Sequence, residues 1–207
     1  MHKPNLLVLI LIGIAWVMLI ISFSSYWYYA GSKSSSDNYS FSYFKHDGVR
    51  TEWKFGDNSG SSFSSYSSAQ KDAAKNELSL YRASLSFTVI AWIVLSATIL
   101  FVVLSLFGIL SKIPLLPTIT KLLPIAGFVL CCLALFIFVG LPDARKRDCK
   151  RNGSDSFCDS QADDHKFDFV YHNDNYRQSP WLSWATIVVA SAFCLGGAIV
   201  GVISGSY

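Results

Sequence analysis

Apolar residues are concentrated in four stretches of the chain, and polar and charged residues fill the connections between them. The apolar stretches cover about 6–23, 84–110, 122–141 and 181–203, and none of them contains Asp, Glu, Lys or Arg. A transmembrane helix needs roughly 20 apolar residues to cross about 30 Å of hydrocarbon. The pattern therefore predicts a membrane α-helical protein, a single domain built on a bundle of four transmembrane helices.

The first apolar stretch also has features of a secretory signal peptide. It begins after the basic residues His2 and Lys3, and the small residues Ser22 and Ser24 would fit a cleavage site. Its apolar run is longer than the usual core of a signal peptide. We therefore expect it to be the first transmembrane helix.

The first long connection, about 24–83, contains a sequence typical of a β-hairpin. Two runs rich in aromatic and β-branched residues, 39–44 and 49–55, are separated by a short segment that ends in Asp47-Gly48. Asp-Gly between two such runs favours a hairpin turn, because glycine tolerates positive φ. The alternative is a flexible Ser-rich loop, a description that fits residues 59–68.

The second run of this hairpin alternates in character along the chain. Trp53 and Phe55 fall on one face of the predicted strand, whereas Lys54 falls on the other. We therefore expect Trp53 and Phe55 to contribute to a packing or interaction surface, with Trp53 buried and Lys54 exposed.

The second long connection, about 142–180, contains a third strand-like segment at 165–172. Phe167, Phe169 and Tyr171 would share one face of that strand. An isolated two-stranded hairpin is marginal, whereas a third strand makes a small sheet viable. We expect this segment to pair with the hairpin and form one small extracellular β-sheet, with a single apolar face for packing or interaction.

Charge and modification motifs bear on which side of the membrane the long connections face. Each long connection holds seven Lys and Arg, against three on the opposite side, and this count alone would put them inside. However, Asn38 and Asn152 each begin an N-glycosylation sequon, one in each long connection. The short connection at 111–121 contains no acid. We expect the long connections outside, both termini in the cytosol, and the protein in the plasma membrane or an endomembrane.

The five cysteines fall into two groups. Cys149 and Cys158 form an isolated pair in the second long connection, which predicts a disulfide on the oxidising side of a membrane. The alternative for this pair is two free thiols. Cys131, Cys132 and Cys194 lie within apolar stretches and are interpreted as small packing residues.

No catalytic or cofactor-binding constellation is recognisable. The spacing of His165, Asp168 and His172 matches no zinc or calcium motif, and a solvated strand edge accounts for these residues better. Membrane enzymes and proton-coupled transporters usually need ionisable residues within their spans. We therefore expect a protein that is not an enzyme, with no metal, no cofactor, no nucleic-acid partner and no evident small-molecule substrate.

The fourth apolar stretch carries Gly197, Gly201 and Gly205 at four-residue intervals. Such a stripe of small residues lets another helix approach closely in a bilayer. We interpret it as packing within the bundle. The alternative is a contact with a neighbouring protein.

The arrangement of four spans, a long β-rich first connection, a tight second one and a smaller third resembles the claudin-like tetraspan superfamily. That group includes claudins, peripheral myelin protein and the gamma subunits that modulate channels. Trp27 and Trp53 would correspond to the two tryptophans of the family's first loop. Thr51-Glu52-Trp53 departs from the family's Gly-Leu-Trp, and the first connection has no cysteine pair. The resemblance therefore covers the whole chain as architecture rather than as motif.

This resemblance implies a structural or interaction protein that assembles laterally with itself, or accompanies a larger membrane complex, through its loops. The alternative function is a pore-forming subunit of a large-pore or paracellular-type channel, since a pore can also be lined by loops or backbone between subunits. The lipid bilayer is a partner under either hypothesis.

Overall fold

The structure is a computed structural model that describes residues 3–109 and 115–204. Within these ranges the chain forms seven helices and six strands. In chain order they are α1 (Lys3–Ser24), β1 (Tyr28–Ser35), β2 (Asn38–Phe44), β3 (Gly48–Phe55), β4 (Asn58–Ser65), α2 (Ser68–Ala73), α3 (Lys75–Leu106), α4 (Leu116–Val139), α5 (Leu141–Asn152), α6 (Asp155–Asp163), β5 (Tyr171–His172), β6 (Tyr176–Pro180) and α7 (Leu182–Ser204).

Four of these helices are long and apolar enough to cross a membrane: α1, α3, α4 with its continuation α5, and α7. The prediction of four spans is therefore confirmed, and it indicates a multi-pass membrane protein. The bounds differ in two places. The second helix already begins at Lys75, and Lys121 lies inside α4 rather than in a connection.

The chain divides into two compact units. A bundle unit consists of the described parts of Met1–Ser24, Ser86–Leu135 and Ala185–Tyr207, and a loop unit consists of Ser25–Leu85 and Phe136–Trp184. The bundle unit contains the apolar parts of the four long helices. The loop unit contains the whole sheet together with α2, α5 and α6.

Aromatic and polar contacts join α1 to α3 in the bundle unit. The rings of Trp16 and Trp92 stack with their centroids 5.7 Å apart, and the indole nitrogen of Trp16 donates to Ser96 Oγ at 2.8 Å. Near the start of α1, buried Asn5 donates to Ser105 Oγ at 3.2 Å. Helices in lipid associate through close packing and such hydrogen bonds, because apolar surfaces gain little there from leaving the solvent.

All six strands form one antiparallel sheet in the order β4-β3-β2-β1-β6-β5. The predicted hairpin is confirmed, since β2 pairs with β3 from Phe44 opposite Val49 to Asn38 opposite Phe55. The reason given for Gly48 is wrong, because its φ is not positive. A Cβ on Gly48 would lie 2.6 Å from both the Phe63 ring and the Ser64 carbonyl oxygen, so the close approach of β4 is what requires glycine.

The alternative of a flexible Ser-rich loop is wrong, and so is one expectation about the rest of the sheet. Most of the Ser-rich segment 59–68 is strand β4 rather than a flexible loop. The segment 165–172 is a strand only at Tyr171–His172, and its partner is β6 rather than the hairpin. The connection between the hairpin and the second loop is made by β1, which pairs with both β2 and β6.

Much of the remaining loop material is helical. Helix α2 begins with a capping box, in which Ser67 Oγ accepts from the Gln70 amide and the Gln70 side chain accepts from the Ser67 amide. Helix α5 has Pro142 in its first turn, where the missing N–H costs no hydrogen bond. The side chain of Ser154 caps α6 by accepting from the Phe157 amide.

Candidate interaction surfaces of the loop unit

The predicted disulfide joins two short helices of the loop unit. Cys149 in α5 and Cys158 in α6 are bonded, with their Cα atoms 5.9 Å apart, and Cys158 is buried. The two cysteines are nine positions apart in the sequence. The bridge therefore fixes α6 against the last turns of α5.

A carboxylate from α5 caps the start of α3. Asp148 accepts hydrogen bonds from the backbone amides of Asn76 and Glu77 at 3.0 and 2.8 Å, and from the Asn76 side chain at 2.8 Å. The first amides of a helix have no partner within the helix, and the helix dipole favours a negative charge there. Asp148 is buried, and these bonds compensate its charge.

One turn away, a buried ion pair links α3 and α5. The Nε and Nη2 atoms of Arg145 donate to Glu77 Oε1 at 3.0 and 2.9 Å. The guanidinium group lies 4.2 Å from the centre of the Tyr28 ring and 5.5 Å from that of Phe44. The pair therefore connects two helices to one face of the sheet.

Tyr28 extends this cluster to the second long connection. Its hydroxyl donates to the carbonyl oxygens of Asp168 and Phe169 at 3.1 and 3.2 Å. Burial raises the pKa of Tyr28 to about 12, although the nearby Arg145 guanidinium acts in the opposite direction. Gln178 also donates from its side chain to the Asp168 carbonyl oxygen. These bonds hold the segment before β5 without a strand ladder.

The three aromatic residues predicted for the third strand are thereby separated. Phe169 makes edge contacts with Phe138 and Trp184, and Tyr171 stacks on the His165 ring at 4.7 Å. Phe167 lines a cavity described below. The single face expected for these three residues does not form.

The hairpin residues also differ from expectation. Trp53 is half-buried rather than buried, and it lies over Gly60, where a Cβ would be 2.6 Å from its ring. Phe55 is 56% exposed, and Lys54 is half-buried in an ion pair with Asp37. The expectations of a buried Trp53 and an exposed Lys54 are therefore wrong, because Gly60 has no side chain to cover the Trp53 ring and Asp37 covers part of Lys54.

The sheet has aromatic residues on both faces, so a single apolar face is also wrong. The face opposite Tyr28 and Phe44 carries a contiguous aromatic cluster whose neighbouring rings have their centroids 4.9 to 6.2 Å apart. Its members are half-buried or exposed, and they are Tyr29, Tyr39, Phe41, Tyr43 and Trp181. We call this set the aromatic face.

Strand β4 is one edge of the sheet. It pairs with β3 along all eight of its residues and has no second partner strand in the described part of the chain. Its sequence, Asn-Ser-Gly-Ser-Ser-Phe-Ser-Ser, contains no charge and no proline. Soluble proteins usually protect such an edge with lysine, proline or a bulge. This edge has none of these.

The two sequons lie in different surroundings. Asn38 is exposed, and its side-chain oxygen accepts from the Gly56 amide. Asn152 uses its side-chain nitrogen to donate to two carbonyl oxygens, those of Ala73 at 2.7 Å and Asp148 at 2.8 Å. Attachment of a glycan to that nitrogen would remove one of the two donated hydrogens.

In the bundle unit, the glycine stripe faces another helix of the same chain. Gly197 and Gly201 are buried, and a Cβ on Gly197 would lie 2.7 Å from Ile12 Cδ1 in α1. The third member, Gly205, lies outside the described residues. The contact of Gly197 with Ile12 is an internal one.

Glu77, Arg145 and Asp148 were not singled out from the sequence, although their helices carry signals. The capping box at Ser67 and the proline at Pro142 both mark helix starts in the long connections. Among the described residues no group of three potential metal ligands converges. Neither a protein-family model nor a curated protein sequence matches the chain.

Proposed function

We propose that this protein is a structural or interaction tetraspan of the claudin-like type, which assembles laterally with further copies through the sheet of its loop unit. The proposal includes the orientation expected from the sequons, with the loops outside and both termini in the cytosol. The observation that carries it is the uncharged, unprotected edge at β4, supported by the aromatic face of the same sheet.

The edge suits a second copy of the same strand. Two identical strands that pair antiparallel about a two-fold axis bring central residues opposite their own counterparts. A charged side chain at that position would repel itself, whereas the serines of β4 bring no charge. In an antiparallel strand only every second residue turns its backbone N–H and C=O groups away from the existing partner strand. These outward groups of β4 then gain hydrogen-bond partners, as in other cases of strand addition.

The aromatic face provides a second feature that is common at protein interfaces, namely exposed aromatic side chains. Tyrosine, tryptophan and phenylalanine are enriched at protein interfaces, where they provide a large contact area. Trp181 is 40% exposed, and Tyr29 and Tyr43 contact it directly. In a lateral assembly this cluster would provide the apolar part of the contact beside the paired edges.

Substitution of Ser62 by Lys tests the proposal. Ser62 is exposed at the middle of β4, so the folded chain should accept lysine there, whereas a paired copy would bring two lysines together. We expect self-association of the mildly solubilised protein to weaken by about tenfold, or 1.4 kcal/mol, measured by analytical ultracentrifugation in detergent.

The matched control is Ser160→Lys, because Ser160 is an exposed serine on α6 rather than on the sheet edge. This variant should associate like the wild type. Equal association of wild type and Ser62→Lys would contradict assembly through β4. A closed ring that conducts ions in planar bilayers would favour the pore-forming alternative instead.

A further inference from the structure

The loop unit contains a cavity of about 600 Å³ that is separate from the sheet edge. Its walls come from the sheet, helix α2, the start of α3, and helices α5 and α6. Apolar side chains form most of the wall, among them Phe44, Val49, Leu78, Phe157 and Phe167. Sites that hold one small molecule commonly have volumes of roughly 300–1,000 Å³ and a mostly apolar lining. The size and lining therefore suit a single apolar molecule.

The Cys149–Cys158 disulfide makes one wall rigid. Phe157 precedes Cys158 on α6, and Cys149 itself lines the cavity from α5. Because the bridge fixes the two helices, the backbone that carries Phe157 is also held against α5. A cavity that is formed before its ligand arrives loses less free energy to ordering when the ligand binds.

Polar groups at the cavity are only partly used by the protein. Glu77 and Arg145 line it, and their ion pair uses Glu77 Oε1 with Nε and Nη2 of Arg145. Within residues 3–109 and 115–204, the hydrogen bonds that the Glu77 carboxylate accepts from Arg145 and Tyr81 all go to Oε1. Glu77 Oε2 can therefore accept a hydrogen bond from a ligand with a polar end.

The charges at the cavity determine what kind of polar end fits. Glu77 neutralises the charge of Arg145. An anionic ligand that approached the Arg145 guanidinium group would therefore also approach the Glu77 carboxylate, which would repel it. Asp148 is compensated by the amides at the start of α3 and by Arg151 at 3.5 Å. A cationic ligand would therefore find the charge of both carboxylates already compensated, and Arg145 would repel it. A neutral hydroxyl group can donate to Glu77 Oε2 without bringing a further charge to the ion pair.

We propose that this cavity binds one neutral lipid that carries a hydroxyl head group, with its apolar body against the phenylalanine wall and its hydroxyl at the Glu77–Arg145 pair. Long-chain alcohols and sterols have this chemistry. The site is independent of assembly through β4, because neither the edge strand nor the aromatic face contributes to its lining.

Radiolabelled hexadecanol, bound to the purified full-length protein in a neutral detergent, tests the proposal. Ala74 lines the cavity at the end of α2, so Ala74→Trp should fill it. We expect binding of hexadecanol to fall by about tenfold or more. The matched control is Ala69→Trp, on the exposed surface of α2 and outside the lining, which should bind like the wild type.

Phe157→Asp provides a second variant in case Ala74→Trp does not fold. Phe157 is 57% exposed, so an aspartate there should leave the fold intact while placing a charge beside the apolar body of the ligand. We expect a loss of binding similar to that of Ala74→Trp.

Head-group selectivity is measured by competition with unlabelled palmitate and hexadecylamine at neutral pH. Both should compete at least about tenfold less well than unlabelled hexadecanol. Unchanged hexadecanol binding by a folded Ala74→Trp or Phe157→Asp variant would overturn the proposal. Stronger competition by palmitate would overturn it in favour of an anion site at Arg145, and stronger competition by hexadecylamine in favour of a cation site at Glu77.

Discussion

Replacement of Arg145 by Met should strongly destabilise the loop unit. The side chains of Arg145 and Glu77 are only 12% and 16% exposed, so the substitution leaves a buried carboxylate without its cation. Breaking a buried ion pair by removing one partner costs about 3 to 5 kcal/mol, because the remaining charge keeps its desolvation penalty. For a chain of this size that loss corresponds to a decrease in Tm of roughly 6–20 °C.

Trypsin digestion along a temperature ramp measures this effect in the loop unit specifically. The two long connections hold seven Lys and Arg each, whereas the rest of the chain holds three. Cleavage of the full-length protein in detergent therefore reports mainly the opening of the loop unit. The temperature of half-cleavage should fall for Arg145→Met, and it should largely recover in the double variant Glu77→Leu/Arg145→Met, because the unpaired charge is then removed as well.

The neighbouring Lys146 on the same helix provides the control. Its ion pair with Asp159 is 3.8 Å long, and the two side chains are 44% and 57% exposed. An exposed pair of this kind contributes about 0 to 1 kcal/mol. Lys146→Met should therefore change the half-cleavage temperature very little. If Arg145→Met were no more destabilising than Lys146→Met, the buried pair would not be a main support of the loop unit.

Two further predictions concern modification and the bundle. If the loops face outside, Asn38→Gln should abolish the mass shift that a glycosidase causes, whereas Asn152→Gln should leave that shift unchanged. The reason is that the Asn152 side-chain nitrogen is already used in two hydrogen bonds. A mass shift that persists in Asn38→Gln would contradict this prediction. Gly197→Leu should destabilise the solubilised bundle by about 1 to 3 kcal/mol through overpacking against Ile12, whereas Gly13→Leu, at a position with nothing within 4 Å, should not. Equal thermal stability of the two glycine variants would refute the internal contact.

The four spans could be predicted because apolar length alone determines them, and the hairpin because Asp47-Gly48 separates two β-forming runs. Strand β4 could not, since its serines and glycine have little intrinsic β propensity and its pairing with β3 overrides that preference. The segment 165–172 alternates like a strand. However, hydrogen bonds from Tyr28 and Gln178 to its carbonyl oxygens replace a ladder, and His165 has a positive φ of 59°.

The buried polar cluster depends on contacts between distant parts of the chain. Glu77 and Arg145 are 68 residues apart, and Asp148 reaches Asn76 across 72. In the sequence each appears as one charge among many beside an apolar stretch. Only the continuation of α4 into α5, and the early start of α3, bring these side chains together. The cavity beside them could not be predicted either, because its lining also comes from distant parts of the chain. For this reason the sequence indicated no small-molecule ligand.

Disulfide cross-linking between copies in intact membranes tests the proposed assembly most directly. With Ser62→Cys at the centre of β4, two-fold pairing of the edges places the two new thiols next to each other. We expect mild oxidation to give a covalent dimer that reductant reverses, and Ser160→Cys on α6 to remain monomeric under the same conditions. A Ser62→Cys protein that stays monomeric, or that cross-links no better than Ser160→Cys, would contradict lateral assembly through this edge.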